Sequence, residues 1–188
     1  MKSHQKPWLG LAAAILMGCT SAAKIATAQG DFKWATPEDR LRELGIELLE
    51  KVEPGSNYVK AIQVGQTLYL AGHLPLRPDR SLVTGKLGKT MTVEEGYHAS
   101  RLAAINMIST LQHEIGDLSR VKRIVKLRGM VNGTQEFRDH PKVINGASDL
   151  FVEVFGQKVG KHTRAAIGMS SLPFAMAVEL ELIVEIKK

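Results

Sequence analysis

The chain has 188 residues, 44% hydrophobic and 23% charged, with a formal charge of +6. That mixture suits one domain with a real core and excludes a disordered or collagen-like chain. The basic residues are scattered and aromatics make up only 5%, so nucleic-acid binding gains little support, and a single cysteine, Cys19, excludes an internal disulfide.

The first residues have the form of a signal peptide. Lys2 and Lys6 precede an apolar run from Trp8 to Gly18, and small residues follow. The run falls short of the ~20 apolar residues that span a bilayer. Two cleavage positions compete. Ala26-Thr27-Ala28 before Gln29 satisfies the small-x-small rule, whereas Leu16-Met17-Gly18-Cys19 resembles a lipobox that would leave Cys19 lipidated. Ordinary cleavage after Ala28 is the expectation, since Met is unusual in a lipobox. The protein is then exported, periplasmic or secreted, and meets a membrane only if Cys19 carries lipid. Removing residues 1–28 takes away Lys2, Lys6 and Lys24 and no acid, leaving 22 bases against 19 acids, or +3.

Residues 29–55 form an N-terminal extension in which Thr36 caps a short helix, with Pro37 at its first position and Gly45 as a stop. Tyr58 to Val64 and Thr67 to Leu74 read as a strand pair around Gly65-Gln66. A Pro- and Gly-punctuated loop follows, up to Met91. Thr92 and Glu95 make a capping box for a long helix ending at Gly116, with Tyr97, Ala104, Ile108, Leu111 and Ile115 on one stripe. Val121 to Val131 is a strand. A second long helix runs from about Pro141 to Phe155, with Val143, Ala147, Leu150 and Val154 inward and Gly156 closing it. Ala165 to Met169 and Met176 to Ile186 are the last strands. The pattern is α+β, with helices covering one face of a sheet.

In the last strand the even positions from Met176 to Ile186 are all apolar, while Glu179, Glu181 and Glu185 are odd. Period two separates these sets, so the glutamates face away from the helices. Ile167 and Met169 are apolar in the preceding strand, which puts Arg164, Ala166 and Gly168 on the expected helix-free face with Glu179. An arginine beside small residues suits a carboxylate, which its guanidinium can grip bidentately, and a nearby glutamate can orient water. Spacing alone leaves open a purely structural Arg164–Glu179 ion pair. A helix-free sheet face is often covered by another copy of the chain.

Thr163-Arg164-Ala165-Ala166-Ile167, Leu172-Pro173 and Val178-Glu179-Leu180-Glu181 resemble the C-terminal signature of the YjgF/Rid family of reactive-intermediate (imine) deaminases, many labelled endoribonuclease L-PSP. Tyr58 and Leu70-Ala71-Gly72-His73-Leu74-Pro75 agree, and the segment from Pro141 to Asp149 is similar to the YjgF/chorismate-mutase-like subgroup. The resemblance spans Tyr58 to Ile186, so residues 56–188 are identified as the YjgF/Rid-like domain. It implies a chorismate-mutase-like homotrimer whose sheets form a central barrel, with ligand clefts between subunits. It further implies that Arg164 binds the substrate carboxylate and Glu179 positions the hydrolytic water, with Tyr58, Gly72, His73, Asn145 and Ala166 lining the cleft. The implied reaction is hydrolysis of 2-imino or enamine acids to 2-oxo acids and ammonia, without metal or cofactor. Ala166 stands where the family deaminases carry cysteine, and His73 where they carry glutamine. A binding module for a small carboxylate and an RNA-cleaving enzyme are the rival readings.

The remaining polar residues suggest less. His98, His113 and His140 have no ligand-like spacing, so no metal site is expected. His162 reads as a solvated loop residue, and Lys122, Lys126 and Arg128 share one face of a basic strand.

Overall fold

The computed structural model describes residues 36–50 and 53–188; the expected signal peptide, Cys19 and both cleavage positions lie outside them. Helix α1, Pro37–Glu43, begins at a full capping box. Thr36 Oγ1 accepts from the Asp39 N–H, and the Asp39 carboxylate accepts from the Thr36 N–H, both at 3.1 Å. Such a cap stabilises by about 1 kcal/mol, too little to hold seven residues helical alone. Tertiary bonds supply the rest: Glu38 accepts from the Leu118 N–H at 2.7 Å, and Arg40 Nε donates to the Glu153 carbonyl at 3.2 Å.

Strands β1 (Ala61–Val64) and β2 (Thr67–His73) form the expected hairpin, turned by Gly65 at φ 61°. Helix α2, Val93–Ile115, starts at the Thr92–Glu95 box and stops where Gly116 takes φ 74°. The expected stripe is buried from Ala104 to Ile115, while Tyr97 is partly exposed and donates to Asp149 at 3.1 Å. Strand β3 is Val121–Asn132. Helix α3, His140–Gly160, buries Val143, Ala147, Leu150 and Val154. Gly156 (φ 80°, ψ 167°) is non-helical and closes the first stretch as expected, and one further helical turn leads to the next strand. Strands β4 (Thr163–Met169) and β5 (Val178–Ile186) complete a sheet of order β1-β2-β5-β3-β4, antiparallel except for β3 and β4. Helices α2 and α3 cover one face, and the core lies between them and that face.

Cross-strand register decides which side chains share a face. Leu127 pairs with Leu182 on β5 and with Arg164 on β4; Gly129 likewise pairs with Leu180 and Ala166. Leu127, Leu180 and Leu182 are core residues, so Arg164, Ala166 and Gly168 lie on the helix side. Glu179 pairs with Met130, which pairs with Ile167, and this set is on the helix-free face. The expectation that Arg164 and Glu179 share a face is therefore corrected: they lie on opposite faces. Alternation misleads in β4 because its small residues mark the helix side. A Cβ added at Gly168 would run into the His140 ring, and one at Gly129 into Ile144, both on α3. Ala and Gly are there because the helix passes close, which leaves Ile167 for the outer face.

That outer face carries exposed apolar side chains. Ile62, Val64, Tyr69 and Ile167 are exposed on it, among charges that largely pair. Lys122 Nζ meets Glu185 at 2.7 Å and Arg128 Nη1 meets Glu181 at 3.4 Å.

Candidate active site in two halves

Arg164 sits at the start of β4, on the sheet edge over which α3 passes. Its Nη1 donates to Asn145 Oδ1 at 2.7 Å and to Ser148 Oγ at 3.0 Å. Asn145 and Ser148 are three apart on α3 and so face the same way. Ser148 Oγ also lies 3.1 Å from His162 Nε2, and His162 Nδ1 lies 2.6 Å from the Gly160 carbonyl. With Nδ1–H donating to Gly160, Nε2 accepts from the Ser148 hydroxyl, so the chain of bonds suits a neutral imidazole. Burial holds His162 below the ordinary imidazole range, the bond to Gly160 opposes this, and the Arg164 charge adds to the lowering. His162 is thus a half-buried strut beneath the arginine, not the solvated loop residue expected. The outcome is an arginine fixed through one nitrogen. Its Nε and Nη2 meet no acceptor among the described residues, leaving a fork free for a planar anion.

Glu179 forms a separate group on the outer face of β5. Among the described residues no hydrogen bond or ion pair reaches its carboxylate. Burial pushes the carboxyl above its usual range, Glu181 adds to this, and Lys60 pulls the other way. Lys60 is itself lowered by burial and raised by Glu179, and its Nζ lies 5.8 Å from the Tyr58 ring centroid. Gly72 gives the carboxylate its room, since a Cβ there would occupy the place of Glu179 Oε1. A half-buried carboxyl with a raised pKa and no fixed partner is suited to moving a proton.

The seven expected site residues therefore fall into groups within one chain. Arg164, Asn145 and Ala166 belong to the β4 edge; Tyr58, Gly72 and Glu179 lie towards the β1 side. Strand spacing puts β1 roughly 19 Å from β4 and β5 roughly 10 Å from it. His73 joins neither group. It is 3% exposed and points towards α2, with Nδ1 2.7 Å from the Ala71 carbonyl and Nε2 2.7 Å from Thr110 Oγ1. Lys60 and Ser148 were not anticipated. Ser148 could have been found one turn beyond Asn145; Lys60, just before β1, carries no local signal.

Comparison with known proteins agrees with this architecture. Residues 38–186 match the family described as "YjgF/chorismate mutase-like, putative endoribonuclease", a span that takes in most of α1 as well as all five strands. The chain is 44% identical over 146 residues to Protein TCP17 of Trypanosoma cruzi, covering 78% of this chain and 91% of that one. It is similar to a solved protein of unknown function, Atu1372 from Agrobacterium tumefaciens, at 41% identity and TM-score 0.74, with 81% and 94% of the two chains covered. A solved structure from Shewanella oneidensis, called a putative endoribonuclease, is 39% identical with TM-score 0.77 over 80% of this chain and 99% of that one.

Proposed function

The chain belongs to the YjgF/chorismate mutase-like family, and from that premise we propose that it is a cofactor-free hydrolytic deaminase of small 2-imino or enamine acids. Its cleft forms between two copies of an exported homotrimer. The observation that carries this reading is the opposed placement of Arg164 and Glu179. A single chain holds an anion fork on one side of its sheet and, on the other, a carboxyl with no hydrogen-bond or ion-pair partner among the described residues. Covering the apolar outer face with a neighbour brings the Glu179 group of one subunit towards the β4 edge of the next, as in a closed ring of heterologous contacts.

In that cleft the Arg164 fork holds the substrate carboxylate and Glu179 holds a water against the C=N carbon. The water oxygen bonds to that carbon while one of its protons passes to Glu179, which hands it to the imine nitrogen to give a tetrahedral carbinolamine. Glu179 then takes the hydroxyl proton and delivers it to the amino nitrogen as the C=O forms and the C–N bond breaks, so ammonia leaves with a 2-oxo acid. Positioning and electrostatics supply the rate. The endoribonuclease reading gains less support, because Lys122 and Arg128 are already paired with Glu185 and Glu181.

The test offers 2-iminobutyrate, generated in place by an amino-acid oxidase, and follows 2-oxobutyrate release. We expect turnover above the uncatalysed rate and a loss of at least about a hundredfold in Arg164→Ala, the scale of losing a charged anchor. Absence of turnover with retained carboxylate binding would instead identify a binding module.

A further inference from the structure

A half-open pocket lies three strands away from Arg164, between the end of β2, the 74–82 loop, α2 and residues 46–50. Its volume is about 250 Å³, room for roughly eight waters at ~30 Å³ each. Hydrogen bonds fasten part of its wall. Ser109 Oγ accepts from the Leu49 N–H at 3.0 Å and donates to the Ile105 carbonyl at 3.1 Å, and the His113 ring reaches the Leu49 carbonyl at 3.0 Å. These bonds hold residues 46–50 over the space as a cover. His73 closes the floor, its Nδ1–H donating to Ala71 and its Nε2 accepting from Thr110.

Three features of the lining point to a ligand. First, Asn106 is 8% exposed, and its Nδ2 donates to the carbonyls of Leu74 and Leu76 at 2.8 and 3.0 Å. Both amide hydrogens are used, which fixes the amide's orientation and leaves Oδ1 buried without a donor. Buried acceptors are nearly always satisfied, so this one awaits a donor. Second, Leu49, Leu74, Leu76 and Leu82 supply an apolar lining. Third, Lys60 and Arg80 both line the space, and neither forms an ion pair among the described residues; Glu50 is the one carboxylate that lines it. Arg80 is held at φ 66°, a left-handed backbone that non-glycine residues seldom adopt.

We propose that this cavity is a second binding site, taking a small molecule that combines an apolar body, a hydrogen-bond donor for Asn106 Oδ1 and an anionic group for Lys60 and Arg80. It lies apart from the Arg164 fork and adjoins the Glu179 group through Lys60, which the two share.

Calorimetric titration with three matched probes tests this: 4-hydroxyphenylacetate, phenylacetate without the hydroxyl, and 4-hydroxyphenylethanol without the charge. The first binds, and the loss of either group weakens binding about tenfold, as does Lys60→Met, the scale of a charged or buried hydrogen bond. Leu82→Trp, which fills the space, abolishes binding. If that variant fails to fold, as its circular dichroism would reveal, Lys60→Met decides alone. Arg164→Ala leaves the affinity unchanged. A wild-type protein that binds none of the probes at millimolar concentration overturns the proposal, as water alone would then fill the space. Equal affinity for all three probes, or loss of binding in Arg164→Ala, overturns it too.

Discussion

His73 shows how a single residue's surroundings change its meaning. Its place after Gly72 suggested a cleft residue, yet the ring is buried between β2 and α2. Burial lowers its pKa from 6.5 to about 4, the Ala71 bond opposing and Lys60 adding slightly. The sign follows from linkage. The unfolded chain takes up a proton on this histidine near pH 6.5 and the folded chain only near 4, so folding stability falls as pH drops through that window. Between pH 7 and 5 the expected loss is on the order of 2 kcal/mol from this group, and His162 contributes in the same direction. Urea midpoints at the two pH values check it: His73→Gln should lose clearly less than the wild type, and an equal loss would contradict the assignment. Gly72 makes a second residue-level prediction. An alanine Cβ displaces the Glu179 carboxylate, so Gly72→Ala should fold normally while its deaminase rate constant falls about tenfold or more. Unchanged turnover would show that the position of Glu179 does not matter.

At the scale of elements, the local signals in the chain were sound. The cap at Thr36, the capping box at Thr92, the Gly116 stop and the alternation of β5 rest on neighbouring residues, and each stands where those residues put it. Strand β4 was not readable in that way. Its helix side carries Ala166 and Gly168 because α3 lies close, a fact set by residues some twenty positions earlier in the chain, and its outer side carries Ile167. Without the register to β3, that pattern mimics the reverse orientation. The same close approach recurs between α2 and α3. Gly146 on α3 faces the Tyr97 carbonyl on α2, and a Cβ there would overlap the backbone. Backbone cannot rotate away as a side chain can. Gly146→Ala should therefore destabilise by about 1–3 kcal/mol or more despite alanine's better helix propensity. Chemical denaturation checks this; a gain in stability would mean that the helices part easily.

For the whole molecule, the helix-free face raised the expectation of an assembly, and the resemblance to a family supplied a set of expected cleft residues. Their division was not legible, because sheet order is a long-range property: β1 and β4, at opposite edges, carry residues that the resemblance places in one cleft. A trimer follows as an expectation, with Ile62, Val64, Tyr69 and Ile167 covered by the neighbour. Light scattering on the protein lacking residues 1–28 should return three times the chain mass, and a stable monomer would leave each half-site alone.

Subunit complementation tests the composite cleft most directly. Arg164→Ala and Glu179→Gln proteins, each inactive alone, are unfolded together in equal amounts and refolded into mixed trimers. If each cleft takes Arg164 from one subunit and Glu179 from its neighbour, roughly a quarter of the clefts regain both native residues by random mixing in a closed ring. 2-Iminobutyrate hydrolysis should then return to about that fraction of a refolded wild-type control. Activity no higher than the sum of the two variants would place both residues in one subunit's site and contradict the account.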